Sequence, residues 1–134
     1  MQSILTFPYL NVYLHTGLCH ALETQWHGFA TSAEFRQAVS EALTLGHHHR
    51  IKGWIADDRL LGAVRPKDLE WVLEKVLHPL NQLGLRRYAL LASNDLLNRL
   101  TIDRMYSSAQ AELTFEIRRF EDIAQARAWA CVGS

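Results

Sequence analysis

Residues 66–92 read PKDLEWVLEKVLHPLNQLGLRRYALLA. Leu69, Val72, Leu73, Val76, Leu77 and Leu80 recur at i, i+3, i+4, i+7, i+8 and i+11, which is one apolar stripe on an amphipathic helix. Pro66 suits the first helical turn, where its missing N–H has no intrahelical partner anyway. Gly84 closes the pattern, and Leu85–Ala92 predicts a strand. Upstream, across a loop containing Gly62, the apolar run Ile51–Ala56 with Trp54 predicts a buried strand. A strand, a single helix and a second strand form a crossover unit, and its strands pair in parallel.

The same alternation continues on both sides. Thr31 and Glu34 fit a capping box at the start of a helix that carries Phe35, Val39, Ala42 and Leu43 and stops at Gly46. Before it, Leu10–His15 and Leu18–Trp26 read as a hairpin turning at Thr16-Gly17. Residues 1–9 are an apolar lead-in broken by Pro8. Downstream, Ser93-Asn94-Asp95 caps a third helix running to about Tyr106. Leu113, Phe115 and Ile117 alternate with polar residues as a half-buried strand, and Glu121-Asp122 opens a last helix with Ile123, Ala126 and Trp129 inward. The order is ββαβαβαβα, an α/β protein with a mixed sheet.

With 134 residues the chain has room for one domain, expected over 1–134. Apolar residues make up 49% and charged residues 21%, a globular composition. Fourteen basic and fourteen acidic residues cancel, so neither nucleic acid nor an anionic membrane is an expected partner. No window approaches the ~18 apolar residues of a membrane span. The N-terminus lacks a positive leading region and does not read as a signal peptide. Cys19 and Cys131 are the two cysteines; they could pair, but nothing in the spacing requires it, and free thiols suit the cytoplasm, the expected location.

The stretches Trp26-His27-Gly28, Glu34-Phe35-Arg36, Gly53-Trp54-Ile55-Ala56-Asp57, Trp71 and Gly84-Leu85-Arg86-Arg87-Tyr88-Ala89, taken in order, resemble small bacterial STAS-type proteins with a SpoIIAA-like fold, a group common in Bacteroidetes and largely without assigned function. The resemblance covers roughly residues 10–130. It implies a mixed sheet with helices packed largely on one side, and a role in protein contact or regulation rather than catalysis. STAS anti-sigma-factor antagonists carry a phosphorylatable Ser or Thr where the third strand meets the second helix. Here Ala56–Pro66 holds no Ser, Thr or Tyr, so that switch is not expected.

Asp57-Asp58-Arg59 sits at the carboxyl end of a predicted strand, where ligands of open α/β sheets gather. Together with Asp95 these carboxylates could hold Mg²⁺. They equally suit loop capping, with Arg59 neutralising a neighbour. Trp71 lies off the stripe of Leu69, Leu73 and Leu80; both an anchor for a partner and packing on the adjoining loop fit it. His47-His48-His49 reads as an exposed loop after Gly46, since three adjacent imidazoles do not readily aim at one ion. Glu70, Glu74 and His78 read as the wet side of their helix. Ser107-Ser108 falls in a loop without acid–base context. No nucleophile elbow, zinc motif, P-loop or dinucleotide fingerprint occurs, so no catalytic residue, metal or cofactor is expected.

The sequence thus predicts a non-catalytic regulatory or scaffolding module acting on a protein partner through Asp57, Asp58, Arg59 and Trp71, with a homodimer open to it. Two alternatives are a Sec14-like carrier of a small apolar ligand and a Mg²⁺-dependent enzyme using Asp57, Asp58 and Asp95.

Overall fold

The computed structural model describes residues 1–131. Strands β1 (Gln2–Phe7), β2 (Leu10–Thr16), β3 (His20–Trp26), β4 (Gly53–Asp57), β5 (Arg87–Leu91) and β6 (Glu116–Arg119) form one sheet in that spatial order. β1, β2 and β3 pair antiparallel, and β3 to β6 pair in parallel. Each parallel step carries one crossover: α1 (Ser32–His48), then α2 (Pro66–Val72) running through a wide turn into α3 (His78–Leu83), then α4 (Leu96–Ala109). Helix α5 (Ile123–Ala130) follows β6.

The expected mixed α/β sheet is therefore present, with one strand more than expected. Residues 2–7, read as a lead-in, are β1, and the chain order is βββαβαβαβα. Pro8-Tyr9 is a two-residue turn that sets Phe7 opposite Leu10, and Pro8 supplies the fixed φ such a turn uses. The register slips between Ser3 and Leu5, which blurs the alternation that would have announced the strand.

Alternation divides the sheet between two cores. Leu22, Trp26, Trp54, Ala56, Tyr88 and Leu90 join the helices α1 to α4 on one face. Ala21, Ile55, Ala89 and Leu91 meet Ala126 and Ala130 of α5 on the other. The helix-rich face buries large side chains, among them Leu77 and Leu80 at 0% exposure. Each such leucine contributes about 1.5–3 kcal/mol. The α5 face sets the small residues Ala21, Ala89, Ala126 and Ala130 beside Ile55 and Leu91, and closes tightly at Gly53. A Cβ on Gly53 would collide with the Ala130 carbonyl.

The helix read from residue 66 runs unbroken to Leu83, with a π turn at Leu73–Leu77. Its cause is Pro79, which has no N–H to give to Lys75 and whose ring would press on that carbonyl. The preceding turn widens instead, and the His78 N–H reaches the Leu73 carbonyl.

Other expectations shift. The capping box forms, Glu34 N–H donating to Thr31 Oγ1 at 3.2 Å and Thr31 N–H to Glu34 Oε1 at 2.9 Å. The helix does not stop at Gly46, which is buried inside it because a side chain there would strike Ile51. Arg50 makes the left-handed exit at φ 52°, and His47 and His48 form the last helical turn rather than a loop. Ser107-Ser108 lies within α4, not in a loop. Cys19 and Cys131 are joined in a disulfide with Cα atoms 5.4 Å apart. The free-thiol expectation is overturned, and with it the argument from thiols for a reducing compartment. No helix among the described residues is long and apolar enough to cross a membrane.

Candidate functional site

Three loops meet where the parallel strands end: β3 to α1, β4 to α2, and β5 to α4. Backbone bonds tie them edge to edge. Gly62 N–H donates to the Gly28 carbonyl at 3.1 Å, and Asn94 N–H to the Arg59 carbonyl at 3.0 Å. Asn98, 5% exposed, laces them further. Its amide donates to the carbonyls of Leu61 and Gly62 at 3.2 and 3.1 Å and accepts from Val64 N–H at 3.2 Å. Asp95 caps α4, accepting from Asn98 N–H at 2.8 Å.

The Asp57-Asp58-Arg59 cluster is split by strand alternation. Asp57 turns to the α5 face, where Arg59 holds it in a two-point pair, Nε to Oδ1 at 2.9 Å and Nη2 to Oδ2 at 2.8 Å. Asp58 turns to the opposite face, beneath the helices, and lines a small cavity there with Trp54, Tyr88 and Met105. Burial, reinforced by the Asp57 charge, raises the Asp58 carboxyl to about 7. Asp95 is occupied at its helix cap. The three carboxylates proposed for Mg²⁺ thus point three ways. Among the described residues no group of three His, Cys, Asp or Glu is placed to hold a metal.

Trp71 is half-buried. Its ring meets Phe35 edge-on at 6.4 Å between centroids, and the Arg36 guanidinium lies 5.6 Å from its centre. Arg36 in turn bonds the buried Asp68 at 2.8 Å, and Ser32 bonds the same carboxylate at 2.7 Å. The tryptophan therefore helps seat α2 on α1. Glu70 and Glu74 are exposed, and His78 Nε2 lies 3.1 Å from Glu112 Oε2. His49 is the C-cap of α1, its carbonyl accepting from His20 at 2.9 Å.

The structure is similar to the crystal structure of an uncharacterized protein from the DUF3478 family, with a SpoIIAA-like fold, from Shewanella loihica PV-4. Sequence identity is 16%, the TM-score is 0.64, and the match covers 98% of this chain and 99% of that one. The fold is SpoIIAA-like. No family model and no curated protein matches the sequence. In this SpoIIAA-like sheet the strand order never reverses, so α1 to α4 share one face and no switch-point crevice opens between crossovers. What opens instead is a shallow cleft of about 540 Å³ of mixed character, between Trp26, His27, Asp57, Arg59, Leu60 and Asn94.

The SpoIIAA-like loop cluster also exposes apolar side chains that the sequence reading missed. Phe29 is 58% exposed, Leu60 62%, Leu96 59%, Leu97 75% and Leu100 49%. In α4 the usual pattern is inverted, with polar Asn98 inside and leucines outside. The signal was present: Asn98, Ile102, Met105 and Ala109 fall at i, i+4, i+7 and i+11, and they leave Leu96, Leu97 and Leu100 off the buried stripe. The cavity under the helices measures about 50 Å³. Apolar ligand pockets run to roughly 300–1,000 Å³, so it gives the carrier alternative no support.

Proposed function

We propose that this protein is a non-catalytic contact module, regulatory or scaffolding, that binds a protein partner through the loop cluster at the carboxyl ends of β3, β4 and β5. The observation that carries this reading is the group of exposed apolar residues Phe29, Leu60, Leu96, Leu97 and Leu100 on adjoining loops and one helical turn. Single exposed leucines need no explanation, but several gathered on neighbouring, hydrogen-bonded loops suit a binding surface. The loops that carry them are fixed by Asn98 and by two backbone bonds, so little order has to be gained on binding. Arg59, with its side chain 38% exposed, stands at the rim as a charged border. Asp57 and Asp58 are buried and contribute by shaping the loop. Trp71, half-buried on Phe35, is an adjacent support rather than the anchor.

The test is crosslinking with mass spectrometry on the protein and whatever it captures, including a second copy of itself. Crosslinks should radiate from the loop cluster, and Leu97→Asp together with Leu100→Asp should abolish them while leaving the circular dichroism spectrum unchanged. Capture that survives both substitutions with the same crosslinks would place the contact elsewhere and defeat the proposal.

A further inference from the structure

The cavity beneath the helices is unusual in its chemistry rather than its size. Its walls are mainly aromatic and aliphatic, including Trp26, Trp54, Tyr88 and Tyr106, with Thr24 and one carboxyl among them. That carboxyl belongs to Asp58, 6% exposed. Among the described residues nothing donates a hydrogen bond to it: only burial and the neighbouring Asp57 charge act on it. The main chain around it is satisfied, Asp58 N–H donating to Leu91 and its carbonyl accepting from Leu61. The Tyr88 and Tyr106 hydroxyls are 2.6 Å apart and occupied with each other. Its oxygens open onto the cavity rather than being sealed among side chains, and a carboxyl lining such a space is met by a water, an ion or a ligand.

The roof over this carboxyl is the irregular part of the helix layer. Val72 and Val76, which line the cavity, flank and enter the π turn forced by Pro79. Single π turns inside helices recur at functional sites. A cavity of about 50 Å³ is roughly a third of one that accepts benzene, so about two or three heavy atoms fit. A ligand of that size must answer a carboxylate and lie against aromatic faces. A compact cation does both, by ion pairing and by cation–π attraction.

We propose that this cavity binds a short alkylammonium cation, with the Asp58 carboxylate as its counter-ion and the surrounding aromatic rings as its walls. The cavity lies under the same loop, lined by its Leu61 and Val64, but binding there does not depend on the exposed surface contacting a protein.

The affinity should rise with pH, because the cation selects the ionised carboxyl. The titratable groups facing Asp58 are Tyr88 from β5 and Tyr106 from α4, and burial raises both above their ordinary value. The lining from β3, α1 and α2 contributes none, so Asp58 alone titrates near neutrality.

The experiment is an NMR titration with methylammonium and ethylammonium chloride near pH 8, with sodium chloride at matched ionic strength as the control. Saturable shifts should appear at Trp26, Trp54, Val76 and Met105. Binding should weaken about 30-fold near pH 5.5, where a carboxyl titrating at about 7 is mostly protonated. Asp58→Asn keeps the side-chain volume and removes the charge, and should weaken binding at least about tenfold, the loss expected for one charge-assisted contact. The pH series on the unaltered chain tests the same point without a variant. No saturable shift up to about 50 mM, far above the millimolar range expected of such small ligands, would overturn the proposal. So would binding that ignores pH, or that persists undiminished in Asp58→Asn.

Discussion

Two buried carboxylates sit on opposite faces of the same sheet and have opposite fates. Glu23 of β3 faces α5 at 0% exposure. Burial pushes its carboxyl up, but His15 at 2.8 Å and Arg127 at 2.8 and 3.0 Å outweigh it, and the group ends below its ordinary value. Asp58, one residue past β4, faces the helices and meets no donor, and burial carries it up to about 7. The two are almost equally buried, so burial alone does not set the charge state. The α5 face brings cations with it, whereas the face under α1 to α4 brings aromatic rings.

That contrast can be broken from either side. The largest effect should come from the tether of the α5 face. Replacing Cys19 and Cys131 with serine opens a loop of 112 residues, and chain entropy puts the loss at about 4–5 kcal/mol. Thermal unfolding should show a marked fall in Tm, matched by the unaltered chain under reductant.

On the other face, Asp58 should make stability depend on pH. Its folded pKa is raised, so the native state holds the proton more tightly than the unfolded chain. The contribution is fully present below about pH 4 and is lost as pH rises through about 7, on the order of 4 kcal/mol in all. Denaturant unfolding between pH 4 and 8 should show the decline, and Asp58→Asn should flatten it. A profile that is the same in both chains would remove the distinction between the two carboxylates.

Arg127→Met would make Glu23 resemble Asp58, leaving the carboxylate with His15 alone. Unpairing a buried charge costs about 3 kcal/mol, and the carboxyl should then titrate higher, as carbon-detected NMR would show. The smallest effect is expected away from both carboxylates. Leu97→Asp should change stability by no more than about 0.5 kcal/mol while weakening the proposed partner contact.

The sequence carried the architecture because its signals were local. The stripe from Leu69 to Leu80 and the Thr31–Glu34 box each specify their element within a few residues. β1 was hidden by a register slip, and the extension of α1 past Gly46 by a packing demand from Ile51. Contacts across the chain were the least legible. The Cys19–Cys131 bond and the Glu23–Arg127 pair join residues more than a hundred positions apart, with sequence separations of 112 and 104. The site was half-read for the same reason. Asp57, Asp58 and Arg59 were found together, but only the sheet shows that adjacent carboxylates face opposite ways. Leu96, Leu97 and Leu100 went unremarked because leucine in a helix reads as core until the buried stripe is fixed by Asn98.

The disulfide has a mechanical side as well. Cys19 lies between β2 and β3, and Cys131 follows α5, so all four parallel strands and their crossovers fall inside the covalent loop. A force applied at the two ends of this chain would travel from Cys19 to Cys131 through the bond and bypass the parallel sheet. Among the described residues, only the stretch ahead of Cys19, the β1–β2 hairpin, would be peeled out. The oxidised chain should therefore stretch by the length of that hairpin and then stiffen, whereas the reduced chain should unravel throughout.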